Sequence, residues 1–96
     1  DPRKMDETPK IIYKVDPVFP SALNHTGVGR KVVVSYIVDE AGMVQYPRID
    51  TSADYILDFA VLDAIKKWRF TPGVHKGKIV KTRMRSVYSV QEKTLM

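Results

Sequence analysis

Residues 30–42 have the sequence Arg-Lys-Val-Val-Val-Ser-Tyr-Ile-Val-Asp-Glu-Ala-Gly, and this stretch decides the fold. Apolar residues alternate in it at the period of two that is typical of a β-strand with one buried face. Residues 39–42 then predict a turn, in which Gly42 can adopt a left-handed backbone conformation and close a β-hairpin. The sequence therefore predicts a first strand over residues 30–38. The residues predicted to share its buried face are Val32, Val34, Tyr36 and Val38.

Two more strands are predicted after this one. The second runs from Met43 to about Asp50, and Pro47 inside it cannot donate a ladder hydrogen bond, which favours an edge position. The third covers residues 79–90, where basic side chains alternate with smaller or apolar ones. If the second strand is an edge, the third pairs with the first on its far side and runs parallel to the second. The third strand is then predicted to be the opposite edge of the sheet.

Residues 54–69 predict the main helix, because apolar side chains recur there on one stripe. Asp54 and Asp58 lie near its start and basic residues crowd its end, which complements the helix dipole. Pro72 and Gly73 follow and stop the helix. The stripe consists of Leu57, Val61, Ala64, Ile65 and Trp68.

These elements predict an α+β fold, a three-stranded antiparallel-type sheet packed on one main helix. A short helical turn over residues 21–24 is expected before the first strand, with Ser21 as its N-cap after Pro20. Residues 1–20 hold four of the six prolines, so the chain should be extended or irregular there. We expect a linker or extended segment over residues 1–15, one folded domain over residues 16–91 and a tail over residues 92–96. In the first segment, Ile11, Ile12, Tyr13 and Val15 are apolar enough to lie against the domain.

The net charge of +5 is unevenly distributed. Eight Lys and Arg residues lie between Lys66 and Arg85 with no Asp or Glu among them, whereas acidic residues cluster between Asp50 and Asp63. A surface of one sign attracts partners of the opposite sign, such as nucleic acid, anionic lipid or an acidic peptide. It is equally compatible with a solvated face that keeps the protein soluble.

No residues in the sequence form a recognisable catalytic or metal-binding set. The chain has no cysteine, and its two histidines, His25 and His75, have no carboxylate at helical spacing nearby. Asp54, Asp58 and Asp63 resemble a general acid–base set, but helix-dipole compensation accounts for the first two. We therefore expect no enzyme activity, no cofactor and no metal site.

Binding of single-stranded nucleic acid would need aromatic residues on the exposed face of the sheet. Tyr36 and Tyr88 instead lie on the face that is predicted to pack against the helix, and the exposed face offers Lys and Arg but little to stack on. Nucleic acid is therefore not an expected partner.

Four segments taken together resemble the TonB C-terminal domain family. Residues 17–23 match its Pro-x-Tyr-Pro-x-x-Ala opening with Phe19 in place of tyrosine, and residues 32–44 match its hairpin. Residues 58–72, which end in Trp-Arg-Phe-Thr-Pro, match its helix and are the most specific part, and residues 77–80 match the start of its last strand. The motif residues, for which we expect a structural role, are Phe19, Pro20, Gly42, Trp68, Phe70 and Pro72.

The resemblance implies the periplasmic C-terminal domain of a Gram-negative energy transducer. The sequence begins at Asp1 and not at methionine, so we expect further sequence upstream. The resemblance implies that this part holds a transmembrane helix and a Pro-rich spacer, which anchor the domain in the inner membrane and connect it to a proton-driven motor complex. In such a family the domain engages a short peptide of an outer-membrane transporter by β-strand addition and transmits force for active uptake. The residues expected to bind that peptide are those of the last strand, Lys81, Thr82, Arg83, Met84, Arg85, Ser86, Val87 and Tyr88.

Other roles stay open at this point. Lys and Arg on an edge strand also discourage uncontrolled pairing with other chains, so protection of the edge is an alternative role for these charges. The same fold serves a cell-envelope sensor or structural protein equally well, and a basic RNA- or lipid-binding module is a further alternative. An exposed edge strand also invites a homodimer. The sequence does not identify the transporter or its cargo.

Overall fold

The computed structural model describes residues 5–18 and 31–89. The predicted helical turn at residues 21–24, the motif residues Phe19 and Pro20, His25 and the predicted tail lie outside these residues. In chain order the elements are β1 (Ile11–Tyr13), β2 (Lys31–Val38), β3 (Val44–Thr51), α1 (Tyr55–Lys66), β4 (Arg69–Phe70), β5 (Gly73–His75), β6 (Lys78–Val80) and β7 (Thr82–Ser89).

The main sheet has the strand order β3-β2-β7. β2 is antiparallel to both neighbours, so β3 and β7 run parallel to each other at the two edges. This arrangement confirms the predicted strand order. The predicted buried face of β2 is confirmed as well, because Val32, Val34, Tyr36 and Val38 are almost fully buried.

The two edges of this sheet differ in regularity. β7 pairs with β2 without interruption from Lys31 opposite Ser89 to Val38 opposite Thr82. The register between β2 and β3 shifts twice. One shift falls where Tyr46 has a positive φ of 52° and Pro47 follows it. β3 is therefore a bulged strand and β7 a regular one.

Helix α1 is shorter at both ends than the predicted range of residues 54–69. Asp54 is its N-cap, and the carboxylate accepts a hydrogen bond from the backbone N–H of Ile56 at 3.0 Å. At the other end the N–H groups of Lys67 and Trp68 each reach back only three residues, which tightens the last turn. The prediction was wrong for Arg69, which lies in β4 because it pairs with β1.

The helix packs over β2 and β3, and the predicted apolar stripe is buried. Leu57, Val61 and Ile65 face the valines of β2 in one core. Trp68 and Phe70 extend this core beyond the helix end, with ring centroids 6.3 Å apart. Met84 and Tyr88 of β7 are half-buried at the margin of the same core.

The predicted third strand over residues 79–90 is two strands within the described residues. β6 pairs with β5 in a tight hairpin, and only β7 belongs to the main sheet. Lys76 and Gly77 both have positive φ, 52° and 76°, which is the backbone shape of a two-residue hairpin turn. Lys81 lies between the two strands.

The N-terminal segment is extended and attached to the chain that follows the helix. Glu7 and Val74 exchange two backbone hydrogen bonds, of 3.1 and 2.9 Å, and Thr71 donates to the carbonyl of Lys10 at 2.8 Å. β1 pairs with β4, but Ile12 is 67% exposed, and Ile11 and Tyr13 are largely exposed too. The expectation that these three side chains lie against the domain was wrong, since pairing by the backbone leaves them pointing outward; Val15 does pack on the core.

In the described part of the chain, no helix has both the length and the apolar character that a membrane crossing requires.

Candidate binding edge along β7

The candidate site is the outer side of β7, the side turned away from β2, which we call the β7 edge. Among the described residues β7 pairs with β2 only. In an antiparallel pair every second residue points its N–H and C=O away from the partner strand. Along the eight residues of β7 these outward groups form a row that can pair with another extended chain.

The outer side of β3 is a poor counterpart to the β7 edge. Pro47 has no N–H to donate, and one register shift at Tyr46 and Pro47 and another at Asp50 break the even spacing of the remaining groups. Folded proteins protect exposed edges by these same devices. The sheet therefore has one protected edge and one regular edge.

The side chains of β7 alternate between two environments, as the sequence predicts. Thr82 is buried and Met84, Ser86 and Tyr88 are half-buried on the helix side. The hydroxyls of Ser86 and Tyr36 lie 2.7 Å apart, which ties β7 to the core face of β2. On the opposite face the exposed side chains are Arg83, Arg85 and Val87.

The N-terminal segment lies beside the C-terminal end of β7. Burial raises the pKa of the Tyr88 phenol, and the negative charge of Asp16 adds to this effect. The indole N–H of Trp68 donates to the carbonyl oxygen of Val15 at 2.8 Å, and the ammonium of Lys14 lies 5.4 Å from the centre of a Trp68 ring. These contacts attach residues 14 and 15 to Trp68, and the effect of Asp16 on Tyr88 indicates that this carboxylate lies towards the C-terminal end of β7.

Arg85 is already engaged in an ion pair within the sheet. Its Nε lies 3.4 Å from Oδ2 of Asp50, and Nε of Arg48 lies 3.3 Å from Oδ1 of the same carboxylate. The hydroxyl of Ser35 donates to Asp50 as well. The Ser35 hydrogen bond and then the two arginines lower the pKa of Asp50, so this carboxylate is ionised at neutral pH.

Sequence reasoning missed this pair, although it placed both residues on the correct strands. Asp50 lies on β3 and Arg85 on β7, with β2 between them. The contact spans β2 because Ser35, the β2 residue opposite Arg85, has a small side chain. Two features of the sequence could have predicted this ion pair: the strand order, which puts one strand between Asp50 and Arg85, and the small residue Ser35 in that central strand.

Lys81 and Arg83 differ from Arg85. Lys81 lies just before β7, and its charge makes a small contribution to the lowered pKa of Asp39, whose main cause is the hydrogen bond from the Met43 N–H. Arg83 lies opposite Ile37 and is exposed. It lines a shallow groove on the outer face of the sheet together with Tyr46 and Arg48. Within the described ranges no carboxylate pairs with Arg83.

The acidic residues that the sequence singled out serve the helix. Asp58 is buried and accepts hydrogen bonds from the N–H of Ala53 at 3.0 Å and from the Ser52 hydroxyl. Asp63 forms an exposed ion pair with Lys67 at 3.3 Å. Residues 5–18 and 31–89 contain no group of three His, Asp or Glu side chains placed to hold a metal ion.

The described motif residues form the base of the domain. The N–H of Phe70 donates to the carbonyl oxygen of Gly42 at 2.9 Å, which joins the end of the helix to the β2–β3 turn. The Phe70 ring lies 5.8 Å from that of Tyr36. Pro72 follows in the link from β4 to β5, half-buried. These residues lie in the core and not on the β7 edge.

A second apolar groove lies between α1 and β3. It is lined by Ile49, Tyr55, Asp58, Phe59 and Leu62, and Phe59 is 68% exposed. No sequence signal predicted this groove, because Phe59 falls off the buried stripe.

Comparisons with known proteins agree with this architecture. Residues 15–90 match the sequence model of one protein family, described as the C-terminal region of the Gram-negative bacterial TonB protein. The fold is similar to the solution NMR structure of the TonB C-terminal domain of Pseudomonas aeruginosa, with a TM-score of 0.74 and 25% identity over 95% of this chain and 93% of that one. Among curated proteins no match is found.

Proposed function

Because the chain belongs to the family of Gram-negative TonB C-terminal domains, we propose that it binds a short peptide of an outer-membrane transporter by strand addition at the β7 edge. A TonB C-terminal domain is a non-catalytic, periplasmic part of an energy transducer. In the proposal, upstream sequence anchors the domain over residues 16–91 to the inner membrane and connects it to a motor complex there. The domain passes force to the transporter for active uptake.

The observation that carries the proposal is the contrast between the two sheet edges. β7 offers eight residues in unbroken register, whereas β3 is bulged and contains Pro47. An added strand gains affinity from main-chain hydrogen bonds, and these need evenly spaced donors and acceptors. β7 meets this requirement and β3 does not.

The side chains of β7 indicate what kind of peptide fits. On the helix side, Met84 and Tyr88 present half-buried apolar surface next to the edge. On the other side, Arg83 presents positive charge. Since neighbouring residues of an added strand face opposite sides, the preferred peptide alternates apolar and polar or acidic residues.

The N-terminal attachment supports a role in passing on force. Upstream sequence would pull on the segment that is bonded through Lys10 to Thr71 and through Glu7 to Val74 of β5. The partner would pull on β7, a different strand of the same core. A load applied between the two therefore crosses the core, in which Trp68 contacts both the segment and Phe70.

A labelled transporter peptide titrated against the wild type and Val87→Pro tests the proposal. The Val87 N–H points away from β2, since the Asp39 N–H bonds the Met43 carbonyl on the β3 side and the register between β2 and β7 is unbroken. Proline there removes one outward main-chain donor, so weaker binding by a Val87→Pro protein that still folds is the expected result.

If Val87→Pro does not fold, a peptide with alternate backbone nitrogens methylated removes donors from the other side of the same pairing. If the folded proline variant binds the peptide as tightly as the wild type does, the assignment of the site to β7 is wrong. The same holds if the methylated peptide binds as tightly as the unmethylated one.

A further inference from the structure

We propose that Arg83, and not Arg85, selects an acidic residue in the added strand and thereby sets its register. The inference rests on the proposed function, because it concerns the partner of the same edge. In the sequence the two arginines are equivalent, being two positions apart on one face of β7. The structure makes them different.

Arg85 is held by the sheet itself. The Asp50 carboxylate lies 3.4 Å from its Nε and is fixed in place by the Ser35 hydroxyl and by Arg48. An incoming carboxylate would have to compete with one that is already positioned on a rigid strand. Because part of the charge of Arg85 is neutralised, it attracts an acidic residue less strongly.

Arg83 has no such competitor among the described residues. It lies opposite Ile37, whose side chain can neither donate nor accept a hydrogen bond. Arg48 lines the same groove, but Asp50 partly neutralises its charge as it does that of Arg85, so Arg83 is the unpaired cation of this groove among the described residues. A carboxylate brought to this place gains an ion pair without displacing an existing one.

Strand addition would bring a carboxylate within reach of Arg83. Side chains directly opposite each other on paired strands are about 5 Å apart at Cβ and lie on the same face of the sheet. An acidic residue opposite Arg83 therefore lies on the outer face. The residues before and after it turn to the helix side, next to Thr82 and Met84. The partner is thus a strand with a single acidic residue between two apolar or small ones.

The expected size of the effect is modest, since exposed ion pairs are weak. A carboxylate opposite Arg83 should tighten binding by about two- to fivefold over the uncharged amide. The ion pair favours one register of the added strand, because a shift by two residues would place the carboxylate opposite Arg85, where Asp50 competes with it.

A pair of labelled peptides and three variants test the inference. The peptides alternate valine and threonine, match β7 in length and carry either one glutamate or glutamine at the same position. Kd is measured for both peptides with the wild type, Arg83→Gln, Arg85→Gln and Asp50→Asn. The expected preference for glutamate is lost in Arg83→Gln, kept in Arg85→Gln and increased in Asp50→Asn, which releases Arg85. Thermal unfolding of each variant establishes that it is folded.

The outcomes separate this inference from the proposed function. If both peptides bind the wild type equally, or if Arg83→Gln and Arg85→Gln reduce the preference alike, the role of Arg83 is wrong while strand addition stands. If neither peptide binds the wild type, the inference falls, because the alternating pattern and the acidic residue are then not what the edge selects; the proposed function falls only if the transporter peptide fails to bind as well.

Discussion

Gly42 and Phe70 are in direct backbone contact, although 28 residues separate them. The Phe70 N–H donates to the Gly42 carbonyl at 2.9 Å, and a Cβ added to Gly42 would overlap the carbonyl oxygen of Phe70. The contact joins the hairpin turn to the strand that follows the helix. It leaves no space for a side chain at position 42.

Gly42→Ala should therefore destabilise the domain strongly. Gly42 has φ of 80°, and alanine there costs about 1–2 kcal/mol from the left-handed conformation alone, to which the overlap with Phe70 adds. Gly77→Ala is the matched control, because Gly77 has φ of 76° but open space around the added Cβ. Urea unfolding should show a clearly larger loss for Gly42→Ala. Equal losses would contradict the close approach.

Asp58→Ala should cost about 1–3 kcal/mol, because it leaves the buried Ala53 N–H without its acceptor. Asp63→Ala, on the same helix, removes only an exposed ion pair with Lys67 and should cost less than about 0.5 kcal/mol. Thermal unfolding of the two variants checks the difference. A loss for Asp58→Ala as small as that for Asp63→Ala would show that the Asp58 hydrogen bonds do not stabilise the domain.

Trp68→Phe should detach the N-terminal segment with only partial loss of the core. Phenylalanine keeps much of the apolar surface but cannot donate to the carbonyl of Val15, and a lost hydrogen bond of this kind is worth about 1 kcal/mol. Amide hydrogen exchange should become faster at residues bonded through this segment, such as Glu7 and Thr71. Unchanged exchange at both would argue against this anchoring role.

Asp39 should contribute a pH-dependent part of the stability. Its carboxylate accepts hydrogen bonds from the N–H groups of Ala41 and Met43 and from Gln45, and its pKa is lowered below the ordinary 3.8 chiefly by the Met43 bond. A lowered pKa in the folded state means that this stability is present above pH 3.8 and is lost as the pH falls through the folded-state pKa.

The comparison with Asp39→Asn isolates this contribution. The wild type should have the higher unfolding temperature at neutral pH, and the gap should close once the pH falls below the lowered pKa of Asp39. If the difference in unfolding temperature stays constant down to strongly acidic pH, it comes from the shape of the side chain and not from its charge.

The parts of the fold that repeat regularly were predictable from the sequence. The valines of β2 and the stripe from Leu57 to Trp68 follow the strand and helix periods, and Pro47 indicated which strand lies at an edge. Strands of two or three residues are too short to show a period, so β4 to β6 were missed. Arg69 was placed in the helix for this reason.

The site was predictable only in part. The alternation of basic and apolar residues in β7 is local, so the sequence predicted a strand there, whereas the role of that strand as the binding edge came from the family resemblance and stays a prediction. The sequence could not rank Arg83 against Arg85, because that difference depends on Asp50, which lies two strands away. Contacts across a central strand depend on register and side-chain size together, and neither is fixed by local pattern.

Amide hydrogen exchange of the domain with and without a saturating transporter peptide tests the central claim most directly. Strand addition at the β7 edge predicts that every second amide from Thr82 to Ser89 becomes protected, since only those N–H groups point outward. The amides of β3 and of the helix around Phe59 should keep their rates. Protection that appears at β3 or near Phe59 while β7 is unchanged would contradict the account.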